Sequence, residues 1–143
     1  MPGTQPDGPP LAEYFQVNNA DANLTHVPLG VSNQSACYCS DMMSTGFGGA
    51  EGAEKANIPA GGTVAVFGVG PVGIMAVAGA RLRAAGLIIA VDKIPMRLGF
   101  PREYGADVTI NFALTDPIEE IMKIPMGSSS TPPLNASAIR TRS

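Results

Sequence analysis

Three closely spaced glycines and the aspartate that follows them are the residues best suited to binding a ligand. The glycines form the pattern Gly68-x-Gly70-x-x-Gly73, and Asp92 lies 19 positions after the last of them. In such a pattern the first glycine permits a sharp turn from strand to helix, the second lets a ligand approach the backbone, and the third lets the helix pack closely on the strand. The pattern therefore predicts a turn that holds a diphosphate against the free N–H groups at the positive end of a helix.

The position of Asp92 indicates which dinucleotide would bind to this turn. A carboxylate there would accept hydrogen bonds from both hydroxyls of the adenosine ribose. It would also repel the additional phosphate of NADP, so the sequence favours NAD, although the adjacent cation of Lys93 could weaken the discrimination. The alternative is a plain strand–helix–strand turn with Asp92 on the surface.

The segments around the glycines predict a parallel sheet. Apolar, β-prone residues at 63–67 precede the motif, and a second such run at 87–91 ends in Asp92. Runs without polar alternation are typical of strands that are buried on both faces of a parallel sheet. A helix over 74–85 joins these two strands, and a weaker strand is predicted at 108–110. We therefore expect an α/β fold, with a partial Rossmann-type parallel sheet of about three strands and helices packed on it.

Glycine and proline residues predict where the first helix after the motif ends, and where the second begins and ends. Gly86 is a natural stop for the first of them. Pro95 is well placed to begin the second. Gly99 and Pro101 follow closely, and in a helix interior they cost about 1 and about 3 kcal/mol. We expect this second helix to be short or kinked.

The segments that flank the predicted sheet are less regular. The first ten residues contain four prolines and read as a disordered lead-in. Ser32 or Asn33 is suited to cap one or two helices, which we expect to be interrupted near the glycines at 46–49. Serines, prolines and few large apolar residues at 127–143 predict a disordered tail.

The composition excludes some classes of function. A chain of 143 residues, 45% of them hydrophobic and 15% charged, can bury the core of one domain. Its net charge of −3 offers no general attraction to nucleic acid or to an anionic membrane. The most apolar stretch, 72–91, contains Arg81 and Arg83 and is not expected to span a membrane. Cys37 and Cys39 are too close for an unstrained disulfide, which together with the absence of a visible signal peptide predicts a cytoplasmic protein.

Several blocks outside the glycine motif carry a family resemblance. The most specific is Asp-Met-Met-Ser-Thr-Gly at 41–46, and others lie at 12–14, 20–24, 89–92 and 104–107. Together with the glycine motif, and spread over about residues 11 to 124, these blocks resemble the zinc-dependent medium-chain alcohol dehydrogenases. In that family a zinc ion polarises the alcohol oxygen, so that the alkoxide can give hydride to the nicotinamide.

The resemblance implies roles for individual residues. Asp41 would be the third protein ligand to the catalytic zinc, and Thr45 and Val72 would lie near the nicotinamide. Arg97 would contact the adenosine ribose or its phosphate. Asp41 and Thr45 are thus the candidates for catalysis, and Asp41 is the candidate for metal binding. The candidate cofactor-binding residues are Thr45, Gly68, Val69, Gly70, Pro71, Val72, Gly73, Asp92, Lys93 and Arg97. Without the resemblance, a helix cap or a solvated acid is the simpler interpretation of Asp41.

The chain departs from the family pattern on both sides of the motif. Full members are longer and carry further zinc ligands upstream, and they complete the nucleotide-binding sheet downstream. A catalytic zinc needs three protein ligands, and Asp41 alone cannot hold the ion. We therefore expect residues 11–57 to be a remnant of the catalytic domain with a linking helix, and 58–126 to be a partial NAD-binding half with an unpaired sheet edge.

The resulting hypothesis is an NAD-dependent zinc alcohol dehydrogenase in a truncated form, with NADP less favoured. Its substrate would be a small primary or secondary alcohol, or the corresponding aldehyde or ketone. The complete family member would form a homo-oligomer. The alternatives are a nucleotide-binding remnant without turnover, or a marginally folded fragment.

Overall fold

The computed structural model describes residues 17–55, 60–124 and 137–140, and in these residues a parallel sheet of four strands carries the remaining elements. The strands are β1 (Thr63–Phe67), β2 (Leu87–Asp92), β3 (Val108–Asn111) and β4 (Ser137–Arg140). They lie in the order β3-β2-β1-β4, and each neighbouring pair is parallel. This is the order of the first four strands of a Rossmann sheet, so the predicted fold class is confirmed.

Six α-helices and one π-helical turn surround the sheet in the described residues. They are α1 (Ala20–Asn23), α2 (Asn33–Tyr38), the π-turn (Cys39–Met43), α3 (Ser44–Lys55), α4 (Pro71–Leu82), α5 (Pro95–Gly99) and α6 (Pro117–Lys123). Within these residues no helix is both long and apolar enough to span a membrane.

The core has two layers, one on each face of the sheet. On one face α3 and α4 pack against alternate residues of β1, β2 and β4, and Val66 and Ile88 are fully buried there. On the other face Ile89 and Val91 pack with Ile121 of α6. Both central strands are therefore covered on both sides, which explains why their sequences show no polar alternation.

The helix after the glycines begins and ends three residues earlier than predicted, and Gly86 does not stop it. The backbone leaves α4 at Ala84, which adopts a left-handed conformation with φ of 57°. The Ala85 N–H donates to the carbonyl of Ala80 and the Ala84 N–H to that of Arg81, which is a Schellman cap with alanine in the usual glycine position. The expectation that the helix at Pro95 is short is confirmed.

The prediction of an interruption near residues 46–49 is wrong. Helix α3 runs through these glycines without a break. The irregularity lies earlier, where the backbone widens into the π-turn between α2 and α3. Ser32 is the residue that caps α2, since its hydroxyl accepts the Ser35 N–H at 3.1 Å.

The prediction of a disordered tail over 127–143 is wrong for residues 137–140, and the edge of β1 is not left unpaired. These four residues form β4, which pairs with β1. Residues 125–136 and 141–143 lie outside the described residues, as does the predicted lead-in at 1–10.

Helix α3 crosses α4 at a distance that only glycine allows. A Cβ added to Gly46 would lie 2.6 Å from the carbonyl oxygen of Val72 and 2.6 Å from the Cβ of Met75. A Cβ added to Gly79 on α4 would lie 2.9 Å from the Cβ of Ala50. The two helices therefore meet at two glycines, one from each helix.

Gly46→Ala is expected to lower the free energy of unfolding by about 1–3 kcal/mol or more, because the added methyl group overlaps a backbone carbonyl that cannot move independently. Gly48→Ala is the matched control, since no atom lies within 4 Å of its added Cβ. It should raise the stability by about 0.5–1 kcal/mol through helix propensity. Urea unfolding of both variants measures the difference, and equal stabilities would contradict the close crossing.

Candidate functional site

The glycine loop joins β1 to α4 with the geometry of a diphosphate-binding turn. Gly68 has φ of +85°, a conformation that favours glycine, and its N–H donates to the carbonyl of Val91 at 2.8 Å. Gly70 is the extended N-cap residue, and Pro71 is the first residue of the helix. Because helix geometry leaves the first N–H groups without partners in the helix, those of Val72 and Gly73 are directed beyond its end.

The space above the loop is open at the position where a ligand would approach. A Cβ added to Gly70 would have a single neighbour within 4 Å, the Nη1 atom of Arg97 at 3.8 Å. Gly73 is buried, in keeping with the predicted close packing of the helix on the strand. The loop therefore combines an accessible backbone with the positive end of a helix of 12 residues.

Asp92 is not a surface residue, since only 3% of it is exposed. Its Oδ2 atom accepts the Val69 N–H at 2.9 Å, and its Oδ1 atom accepts the N–H groups of Lys93 at 2.7 Å and Ile94 at 2.9 Å. The carboxylate thus ties the end of β2 to the glycine loop. Asp92 therefore does not occupy the surface position that the alternative of a plain turn gave it.

The surroundings of Asp92 keep its carboxyl group ionised. Burial favours the neutral form, but the hydrogen bonds from Ile94, Val69 and Lys93 and the charge of Arg97 outweigh it. The pKa of Asp92 is therefore lowered from its ordinary value of 3.8. The Arg97 Nη1 atom lies 3.9 Å from Oδ2, so this guanidinium is close to both the carboxylate and the loop.

The crossing of α3 over α4 brings a second group of predicted residues to the loop. Thr45 directly precedes Gly46, whose Cα packs against Val72. The Thr45 Oγ1 atom lies 3.5 Å from Oδ1 of Asp41, at the limit of a hydrogen bond. Asp41 and Thr45 are both exposed. The structure therefore places Thr45 next in the chain to the glycine that contacts Val72, and it places Asp41 one turn before Thr45.

Comparisons with known proteins agree with this arrangement. No family model matches the chain. It is 50% identical over 116 residues to an alcohol dehydrogenase of Cupriavidus necator, and 49% identical over 118 residues to an NADP-dependent isopropanol dehydrogenase of Thermoanaerobacter brockii. These alignments cover 81% and 82% of the chain, which spans only about a third of either relative (31% and 32%).

Solved structures are similar as well. The alcohol dehydrogenase TADH of Thermus sp. ATN1 matches with a TM-score of 0.62 and 34% identity, over 71% of the chain and 28% of that protein. The zinc-dependent alcohol dehydrogenase 2 of Streptococcus pneumonia matches with a TM-score of 0.64 and 31% identity, over 78% and 30%. The chain therefore resembles a segment that makes up about a third of the zinc-dependent alcohol dehydrogenases.

The described part of the chain does not form a zinc site of the kind that these enzymes use. Across residues 17–55, 60–124 and 137–140 no three histidine, cysteine or acidic side chains come together to hold a metal. Asp41 is exposed, and Cys37 and Cys39 are exposed free thiols. A catalytic zinc needs three protein ligands, and the single carboxylate of Asp41 does not supply them.

Two features of the site were not apparent from the dehydrogenase motifs. The Val69 N–H is already bonded to Asp92, so this residue organises the loop through its backbone. An apolar cavity of about 400 Å³ also lies beside the start of α4. It is lined by Tyr38, Met42, Pro71, Ile74, Met75 and Tyr104. These residues come from three separate segments, and no local pattern joins them.

Asp92→Asn is expected to lower the free energy of unfolding at pH 7 by about 1–3 kcal/mol, because an amide nitrogen would face one of the N–H donors and leave it unsatisfied. Since the folded-state pKa of Asp92 is lowered, the wild-type carboxylate stabilises the fold above pH 3.8, and this contribution is lost as the pH falls below that value. The Asp92→Asn variant should therefore lack the loss of unfolding free energy that protonation of Asp92 causes in the wild type.

Asp116→Asn is the matched control for this substitution. Asp116 is an exposed N-cap residue of α6, and asparagine caps helices about as well as aspartate. Urea unfolding of the two variants between pH 7 and pH 3 measures both effects. An unchanged acid transition in Asp92→Asn would contradict the role given to the buried carboxylate.

Proposed function

We propose that the chain binds NAD in the loop at 68–73 and that this cofactor accepts hydride from a primary or secondary alcohol. One observation carries the proposal. A loop of small residues opens onto the start of a long helix, directly beside a buried aspartate that is ionised and hydrogen-bonded to the loop itself. The similarity supports the same function, because relatives with 50% and 49% identity are named alcohol dehydrogenase and isopropanol dehydrogenase.

The diphosphate of the dinucleotide would lie over Gly70. The absence of a side chain there lets a phosphate oxygen come within hydrogen-bonding distance of the backbone, and the N–H groups of Val72 and Gly73 can donate to it. Pro71 lacks an N–H group but sets the backbone angle of the first helical residue. Arg97 adds a positive charge above the loop.

The adenosine ribose would lie at Asp92. An ionised carboxylate has about four lone-pair positions. Three of them accept backbone N–H groups, which leaves one position on Oδ2 for a ribose hydroxyl. Asp92 would therefore accept a hydrogen bond from one ribose hydroxyl, and not from both as the sequence predicted.

The buried negative charge favours NAD over NADP, since the additional phosphate would stand next to it. Arg97 supplies a positive charge beside both the carboxylate and the loop, and Lys93 directly follows Asp92 in the chain. Four relatives with identities of 42–49% are named NADP-dependent isopropanol dehydrogenases, one of them as probable. The preference is therefore tested by titrating both cofactors.

The nicotinamide would extend from the loop towards Val72 and the adjoining helix α3, whose Gly46 packs against Val72. In this proposal Thr45 and Val72 contact the ring, and Asp41 is the residue nearest to the reacting alcohol. The second candidate function is binding of a nucleotide without turnover. It is favoured by the exposure of Asp41 and by the lack of two further ligands near it in the described residues.

Gly70→Ala is expected to weaken NAD binding at least about tenfold, because the methyl group occupies the space through which the diphosphate approaches. The stability should change little, since the backbone at Gly70 is extended and the added Cβ lies 3.8 Å from its neighbour. Titration calorimetry of NAD and NADP with each variant measures the dissociation constants.

Gly99→Ala is the control for this experiment, because no atom lies within 4 Å of its added Cβ and it lies outside the loop. It should bind NAD like the wild type. Equal affinities of Gly70→Ala and the wild type would refute the loop as the cofactor site. Formation of NADH with an alcohol separates the two candidate functions, since a binding protein without turnover would form none.

A further inference from the structure

Strand β4 brings the C-terminal region to the start of the glycine loop. It pairs with β1 from Val64↔Ser137 to Phe67↔Arg140. Phe67 is the last residue of β1 and directly precedes Gly68. The end of β4 at Arg140 therefore lies level with Phe67, one residue before the turn at Gly68. In a Rossmann sheet this point, between the first and fourth strands, is where ligands bind.

Ile139 fastens β4 to helix α3. It is only 9% exposed and belongs to the same buried cluster as Val64, Val66 and Ala50. A Cβ added to Gly49 of α3 would lie 3.0 Å from the Cγ2 atom of Ile139. The helix therefore lies against the strand at a glycine, as it lies against α4 at another.

These two contacts are made by one face of the same helix. Gly49 meets Ile139, and Gly46, three residues earlier, meets the backbone of Val72 in the first turn of α4. A rigid helix transmits a displacement at one of these contacts to the other. Thr45 lies beside the second contact.

We propose that Ile139 is a positioning residue for the dinucleotide site. By holding β4 between β1 and α3, it sets the end of β1 that leads into Gly68, and it sets the position of α3, whose Gly46 contacts Val72 at the start of α4. The inference rests on the proposed function, since the site it positions is the proposed NAD site. It assigns a role to a segment that bears no binding motif.

The proposal has a reciprocal consequence. If docking of β4 improves the geometry of the NAD site, binding of NAD must strengthen the docking of β4 by the same factor. A strand that only covered the edge of β1 would behave differently. Its removal would lower the stability of the fold and leave the affinity of the folded protein for NAD unchanged.

The test uses the full chain and a pair of substitutions that compensate for each other. Gly49→Ala places a methyl group against Cγ2 of Ile139, and Ile139→Ala removes that carbon. We expect Gly49→Ala to weaken NAD binding about fivefold or more, and the double variant Gly49→Ala/Ile139→Ala to bind more tightly than Gly49→Ala alone. Gly52→Ala, on the same helix with no atom within 4 Å of its added Cβ, should bind NAD like the wild type.

Two further measurements accompany the dissociation constants. Ile139→Val keeps the Cγ2 atom and is expected to fold. It should bind NAD nearly as well as the wild type. Hydrogen exchange of the amides at 137–140 in the wild type should slow when NAD is added. NMR of the Val72 amide should show that NAD reaches the loop in each variant.

The outcomes distinguish the two proposals. If the wild type binds NAD and Gly49→Ala binds it equally well, or if NAD leaves the exchange at 137–140 unchanged, the positioning role is wrong and the proposed function stands. If the wild type does not bind NAD at all, the proposed function fails, and the positioning role fails with it.

Discussion

A buried carboxylate joins the two strands on which the site is built. Asp92 ends β2, yet one of its oxygens accepts an N–H group from the loop that follows β1. An ionised group in the interior is stable only when its hydrogen bonds are satisfied, and three backbone donors satisfy this one. The conformation of the glycine loop, the direction of α4 and the charge at its entrance all depend on this arrangement.

Close packing of helices adds the second half of the site. The glycines at 46 and 79 let α3 and α4 approach each other until backbone meets side chain. This distance determines how closely Gly46 approaches Val72 in the first turn of α4. The small residues in these helices thus set how the Asp-Met-Met-Ser-Thr-Gly block lies against the start of α4.

The central unit of strand, loop, helix and strand was predictable because its signals are local. A continuous apolar run, closely spaced glycines and a terminal acid follow one another within 30 residues, from Thr63 to Asp92. The end of α4 was predicted wrongly because Ala84, an ordinary helix former, takes the left-handed position that glycine usually fills. The burial of Asp92 was not predicted either, since a carboxylate reads as exposed until its donors are known.

Local residue order thus determined the class of fold and the position of the loop, because these depend on backbone freedom and on neighbours along the chain. Only the tertiary structure decided that residues 137–140 are a strand, since a short stretch of small and mixed residues becomes one only when β1 offers its free edge. It also decided that Asp92 is buried and that α3 reaches the loop. These features arise from contacts between segments far apart in the chain, which form through packing and hydrogen bonding as the chain folds.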